Sequence, residues 1–241
     1  TMSFSFWINL PSIPSGDSYI LSDLSSSAAD RRFDVRIKGS DGGKLFIDIG
    51  NGTSNTTSNN TGFIPTVNNW HNIVVTLNGT SIKVYVDNGT AISMTSSVAF
   101  GTAGSRSLSL GRAGDYNGAY YNGKLSNASI WNTELTSAQV LEIYNEGVPS
   151  NLNNHSAYSN LVSWWQLGSN SSYTNKWIVL DEKGTNNGES VNMTEADIVD
   201  GVGSYANGLS SGMGGDEVIG SAPFSDANSL SVNMDVLDRV T

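Results

Sequence analysis

The chain has 241 residues, a net charge of −10 and no cysteine. The length suits one large β domain with appendages. The acidity excludes the basic footprint of a nucleic-acid binder, and the missing cysteines exclude a disulfide framework and thiolate metal sites.

Met2 to Leu10 reads as an aromatic strand, broken by Pro11, Pro14 and Gly16. Ser18 to Asp23 is a second short strand. Arg31 to Lys38 alternates Phe33, Val35 and Ile37 with Asp34, Arg36 and Lys38, the pattern of a half-buried strand. Asp41-Gly42-Gly43 turns the chain into Lys44–Ile49, which completes a hairpin. Residues 50–69 read as a Ser/Thr/Asn-rich loop with an apolar patch at Phe63, Ile64 and Pro65. Trp70–Leu77 and Ser81–Asp87 flank Asn78-Gly79, a strong hairpin signal. Asn88-Gly89 turns the chain again. Leu108–Arg112 is a strand, followed by the tyrosine-rich loop Ala113–Asn122.

Asn122–Gly147 carries the fullest local signals. Leu125, Ala128, Ile130 and Trp131 form a strand. Thr136 and Gln139 have the spacing of a capping box, and Leu135 with Val140 that of a hydrophobic staple. Gly147 and Pro149 end the helix they begin. Beyond this, 151–160 read as polar linker, Leu161–Gly168 as a strand and Asp181–Gly188 as a polar turn. From Gly201 on, glycine and serine dominate. Nine of the 22 acidic residues, but only one of the 12 basic ones, lie after residue 187. Such a tail has no core of its own and needs the main domain or a neighbouring subunit to order it.

No apolar run reaches the roughly 20 residues of a membrane helix, and no secretory leader is visible. Thr1 opens directly into a strand and Thr241 ends abruptly, so both read as cuts in a longer polypeptide. Short strands with regular turns predict an all-β, two-sheet antiparallel sandwich with one short helix. Residues 1–150 are expected to form the sandwich, 151–200 additional strands and linker partly packed on it, and 201–241 an extended acidic arm.

Trp70-His71-Asn72-Ile73-Val74-Val75-Thr76, followed by Val84-Tyr85-Val86-Asp87-Asn88-Gly89, resembles the central hairpin of the concanavalin A-like lectin/glucanase superfamily, in its laminin G-like and pentraxin-like branch. Leu110-Gly111-Arg112, Gly123-Lys124-Leu125, Ile130-Trp131-Asn132 and Leu135-Thr136 resemble that branch's closing strand and single helix. The resemblance spans about residues 1–147 and implies a jelly roll. The segments LVSWWQLG, DEKGTNNGE and VNMTEAD are similar to regions flanking such domains in structural proteins of tailed marine bacteriophages. That similarity implies a virion surface protein, a capsid decoration or fibre-type module.

The hydrolase branch of this superfamily needs carboxylates flanking the scissile bond, about 5–5.5 Å apart in retaining enzymes. The Glu-x-Asp-x-x-Glu pattern is missing. Asp181 and Glu182 would face opposite ways on a strand, and Glu142 and Glu146 read as a solvated helix face. His71 and His155 read as structural. The chain is therefore expected to be non-catalytic.

The loop residues Tyr116, Asn117, Tyr120, Tyr121 and Asn122 have the composition of a carbohydrate platform, aromatic faces with amide neighbours. Packing on a neighbouring subunit would account for the tyrosines equally well. The resemblance also implies a calcium site at the sheet rim, with Asp115 and Asn117 as candidates and Asp41 or Asp87 joining if loops converge. Asp-x-Asn-Gly also simply makes turns, and Ser126 and Asn127 stand where the family carries carboxylates. Trp7, Trp70 and one of Trp164 and Trp165 are expected in the core. The sequons at Asn51, Asn55, Asn78 and Asn88 read as chance in so Asn/Thr-rich a chain.

The expected partners are other virion subunits or copies of the chain, reached through the C-terminal arm, and cell-surface polysaccharide. Neither nucleic acid nor membrane is expected. The alternative is a secreted or cell-surface lectin.

Overall fold

The computed structural model describes residues 1–23, 32–52, 56–101, 108–114, 119–168, 170–202, 220–224 and 229–232. In chain order the strands are β1 (Met2–Asn9), β2 (Asp17–Ser22), β3 (Phe33–Lys38), β4 (Lys44–Gly50), β5 (Thr56–Asn60), β6 (Trp70–Asn78), β7 (Ser81–Val86), β8 (Ile92–Thr95), β9 (Leu108–Leu110) and β10 (Gly123–Trp131). After the helix α1 (Ser137–Tyr144) come β11 (Leu161–Trp165), β12 (Ser172–Tyr173), β13 (Trp177–Val179), β14 (Gly188–Val191), β15 (Val199–Asp200), β16 (Gly220–Phe224) and β17 (Ser229–Val232).

The strands form two antiparallel sheets packed as a sandwich. One runs β15-β16-β10-β1-β6-β7-β8, with β11 also on β10; the other runs β12-β13-β14-β17-β9-β2-β3-β4-β5. Strand alternation fills the space between them. Phe4, Phe6 and Ile8 enter from β1, Ile73, Val75 and Leu77 from β6, Val35 and Ile37 from β3, and Ile47 from β4. Phe4 stacks on Phe33 across the sandwich, with ring centroids 4.1 Å apart. Each such side chain, removed from water, contributes about 1.5–3 kcal/mol.

A second apolar cluster covers the outer face of the first sheet. Val74, Tyr85 and Trp131 meet Leu135, Val140, Ile143, Leu152 and Trp164 there. The helix docks on this face, and its start matches the sequence reading. The Thr136 side chain accepts from the Gln139 N–H, and the Gln139 side chain accepts from the Thr136 N–H. Its end differs from that reading. Asn145, at φ 44°, takes the left-handed cap, and Gly147 follows at φ 91°. Asn tolerates this region because its short side chain bonds locally.

Trp164 and Trp165 are both buried, on opposite faces of β11 and in different clusters. Strand alternation forces this for adjacent residues, so the expectation that only one is core was too narrow. The stretch read as loop 50–69 contains β5, whose polar residues form a strand because the β4 edge supplies the ladder. The stretch read as polar linker places Leu152 and Ala157 in the second cluster.

Two segments of the expected C-terminal arm lie in the chain's own sheets. β16 pairs with β10 and β15, while β17 lies between β14 and β9. The arm's other residues lie outside the described ones, apart from Gly201 and Val202.

Strand β10 is shared unevenly. β1 pairs along one edge. Along the other, β16 takes Gly123–Leu125 and β11 takes Ala128–Trp131. Between these halves the backbone bulges at Asn127, φ 48°. The Asn127 side chain donates to Ser126 Oγ and accepts from the Trp164 indole at 3.4 Å. Ser126 and Asn127, where the resemblance implies carboxylates, thus form a polar bulge.

Candidate functional site

β9 belongs to the second sheet and β10 to the first, and Tyr121 anchors the chain just before β10. Its ring is fully buried. Its hydroxyl donates to the Asn9 carbonyl at 3.1 Å, and its N–H donates to the Gly111 carbonyl. Burial holds the phenol proton well above the ordinary value of 10.0, against a smaller opposite effect of the Asn9 hydrogen bond. Gly123 makes room for the ring, since a Cβ there would lie 2.7 Å from it and 2.4 Å from the Asn9 carbonyl.

Tyr121 is therefore a core side chain and presents no face to a ligand, contrary to the sequence reading. A loop this close to the core edge can bury one phenol, provided a carbonyl receives its O–H. Tyr120 is half-buried and Asn122 exposed. The Tyr120 carbonyl accepts from Ser18 Oγ, and the Ala119 carbonyl accepts from the Tyr19 N–H. Asp115, Tyr116 and Asn117 lie outside the described residues.

Directly after this loop, β10 carries Lys124 into a row on the outer face of the first sheet. Lys124 stands opposite Asn9 on β1, and Asn9 opposite Trp70 on β6. The inward neighbours Ile8, Leu125 and Ile73 belong to the main core, which fixes the row on the other face. All three residues are half-exposed. Among the described residues, no ion pair reaches Lys124, and no hydrogen bond reaches the Trp70 indole or the Asn9 carboxamide. One register step further in, Trp7 is buried and stacks on the half-buried Tyr144, at 5.9 Å between centroids. Trp70 is thus outside the core in which the sequence reading had placed it. Its parity was legible, because Ile73, Val75 and Leu77 fill the inward positions of β6. Its bulk and aromaticity pointed the other way.

Other polar groups are already engaged. Arg36 donates to Asp48, Asp17 and Ser58 and lies over the rings of Tyr19 and Phe46. His71 Nε2 accepts from the Thr66 N–H, so Nδ1 carries the proton toward Asp87 at 2.6 Å. His155 Nδ1 accepts from the Ala157 N–H, while Nε2 donates to the Gln139 carbonyl. Neither imidazole has a ring nitrogen left to serve as a base. Asp181 accepts from three backbone N–H groups, of Trp164, Lys183 and Asn186, and Glu182 accepts from Asn170. Glu142 receives the N–H and Oγ of Ser156. Burial raises its pKa, but these bonds and His155 outweigh that and leave it lowered.

Of the residues named for a calcium ion, Asp115 and Asn117 lie outside the described ones, and Asp41 and Asp87 already have partners. Asp41 faces Lys38, and both Asp87 oxygens are taken, by His71 and the Asn72 N–H. Among the described residues no three His, Asp or Glu side chains converge. No helix among them is long and apolar enough to cross a membrane. An open polar groove of about 640 Å³ runs beside β13 and β14. There Lys176 pairs with Glu189.

The family model for the concanavalin A-like lectin/glucanases superfamily matches residues 1–141. The chain belongs to this superfamily. Its lectin-like sandwich is also similar to a Bacteroides ovatus protein provisionally named as carbohydrate binding, with 14% identity and a TM-score of 0.55. That match covers 78% of this chain and 51% of the other, so the chain spans about half the length of that relative. Domain 4 of an extracellular arabinanase from Geobacillus stearothermophilus, solved with arabinotriose, matches at 20% identity and a TM-score of 0.45, over 58% of this chain and 64% of that one. A heptameric pentraxin from Limulus polyphemus matches at 15% identity and a TM-score of 0.45, over 77% and 81%. None of the curated proteins matches. Within the superfamily's sandwich, the Lys124–Asn9–Trp70 row occupies an outer sheet face next to the loop end.

Proposed function

We propose that the protein is a non-catalytic carbohydrate-binding module acting outside the cell, where polysaccharides are exposed. The carrying observation is the row Trp70–Asn9–Lys124, an open indole beside an open amide on a rigid sheet. An aromatic face covers the apolar face of a sugar ring, and the amide meets its hydroxyls. Tyr120 and Asn122 adjoin the row through the chain itself and extend the candidate surface.

The absence of catalysis is supported by how both histidines and the acids Asp181, Glu182 and Glu142 are used, each bound to backbone or to a side-chain partner. Assembly on a virion surface is the weaker reading, because two segments of the arm pair within the chain's own sheets.

Affinity electrophoresis of the whole chain in gels containing arabinan, galactan, xylan or β-glucan tests the reading, together with a glycan array. Wild type is expected to be retarded by at least one polymer, and Trp70→Ala to run freely while keeping its unfolding midpoint. Tyr120→Ala is expected to weaken retardation less. Retention by none of the polymers or arrayed glycans, or release of reducing ends from any of them, overturns the proposal.

A further inference from the structure

The row has a chemical polarity that a neutral sugar does not use. One end is the Trp70 indole, the middle is the Asn9 carboxamide, and the other end is the Lys124 ammonium. With adjacent strands about 4.8 Å apart, the two ends are separated by about 10 Å at the backbone, which suits two linked sugar rings. The lysines and arginines with ion pairs among the described residues are neutralised by fixed acids: Arg32 by Asp23, Arg36 by Asp17 and Asp48, Lys38 by Asp41, Lys83 by Glu134 and Lys176 by Glu189. Lys124 has no such partner among the described residues and stands beside an unengaged amide.

Resting on the carbohydrate-binding reading above, we infer that the row selects a saccharide carrying an anionic group. One sugar stacks on Trp70, its hydroxyls meet Asn9, and the carboxylate or sulfate of the next sugar meets Lys124. A charge-assisted hydrogen bond of this kind is about twice as strong as a neutral one. The net charge of −10 limits the ligand further. A densely charged polyanion would be repelled by the whole molecule. An isolated anionic group is not, because charges beyond about 8 Å are screened at physiological salt. The ligand class is therefore a largely neutral glycan with sparse acidic substituents.

Calorimetry on the whole chain tests this with three probes: an aldouronic xylo-oligosaccharide, the same oligosaccharide with its carboxyl reduced to the alcohol, and a singly sulfated galacto-oligosaccharide. Wild type is expected to bind the uronate or the sulfate ester about tenfold more tightly than the reduced sugar. Whichever of the two binds identifies the source of the anion. Lys124→Gln is expected to erase that preference, together with its dependence on salt, while the unfolding midpoint stays put. Trp70→Ala should abolish binding of all three. If the reduced sugar, or a neutral polymer of the panel above, binds as tightly as the acidic probes, the anionic inference fails and the carbohydrate-binding reading stands. If Lys124→Gln keeps the full preference, the inference fails at this residue. If nothing binds in either experiment, both fail.

Discussion

Tyr121 shows how one side chain can read as recognition and serve as structure. Its hydroxyl holds the end of β1 to the start of β10 through the Asn9 carbonyl. Tyr121→Phe keeps the ring and leaves that buried carbonyl short of a donor, at a cost of about 1 kcal/mol. It should leave glycan binding unchanged, which separates this tyrosine from Trp70. The buried phenol also sets an alkaline limit. Its folded pKa lies above the ordinary 10.0, so the unfolded chain releases the proton first. The associated stability is complete below pH 10 and falls as pH rises beyond it. Urea midpoints measured from pH 8 to 11 should fall more steeply in wild type than in Tyr121→Phe. What hid this role in the sequence is distance, since the receiving carbonyl is 112 residues away in the chain. His71 and His155 were legible as structural, but their partners Thr66 and Ala157 follow from turn geometry that the pattern alone does not carry.

At the level of elements, the start of helix α1 was readable because its signals are local: staple, cap and box lie within six residues. Strand β10 was readable as a strand but not as a shared one. Its division between β16 and β11 depends on a bulge that only the pairing reveals. Asn127 combines a left-handed backbone with an acceptor for the Trp164 indole. Asn127→Gly relieves the backbone and loses the acceptor. Asn127→Val also loses the acceptor and adds about 1–2 kcal/mol of left-handed strain. Equilibrium unfolding should therefore rank wild type above Gly and Gly above Val, the last about 2–4 kcal/mol below wild type.

Across the whole molecule, the second sheet depends on one late strand. Among the described strands, β17 alone joins β12–β14 to β9 and the rest of that sheet. The hydrophobic alternation of residues 1–150 made the sandwich legible, whereas the acidic, glycine-rich composition of the tail concealed two strands. Ending the chain after Val202 removes both. Hydrogen exchange of that variant should show lost protection in β13, β14 and β9, with β1, β6 and β7 retained. Unchanged protection in β14 would show that the linkage is not what holds it.

The position of β17 also gives this fold a timetable. Its partners β9 and β14 are made well before it, and neither can be bridged until Ser229–Val232 emerges from the ribosome. Until then both present open ladder edges, the feature that invites pairing with a foreign strand. Slow synthesis between β14 and β17 should therefore lower the yield of native protein more than an equal delay before β9.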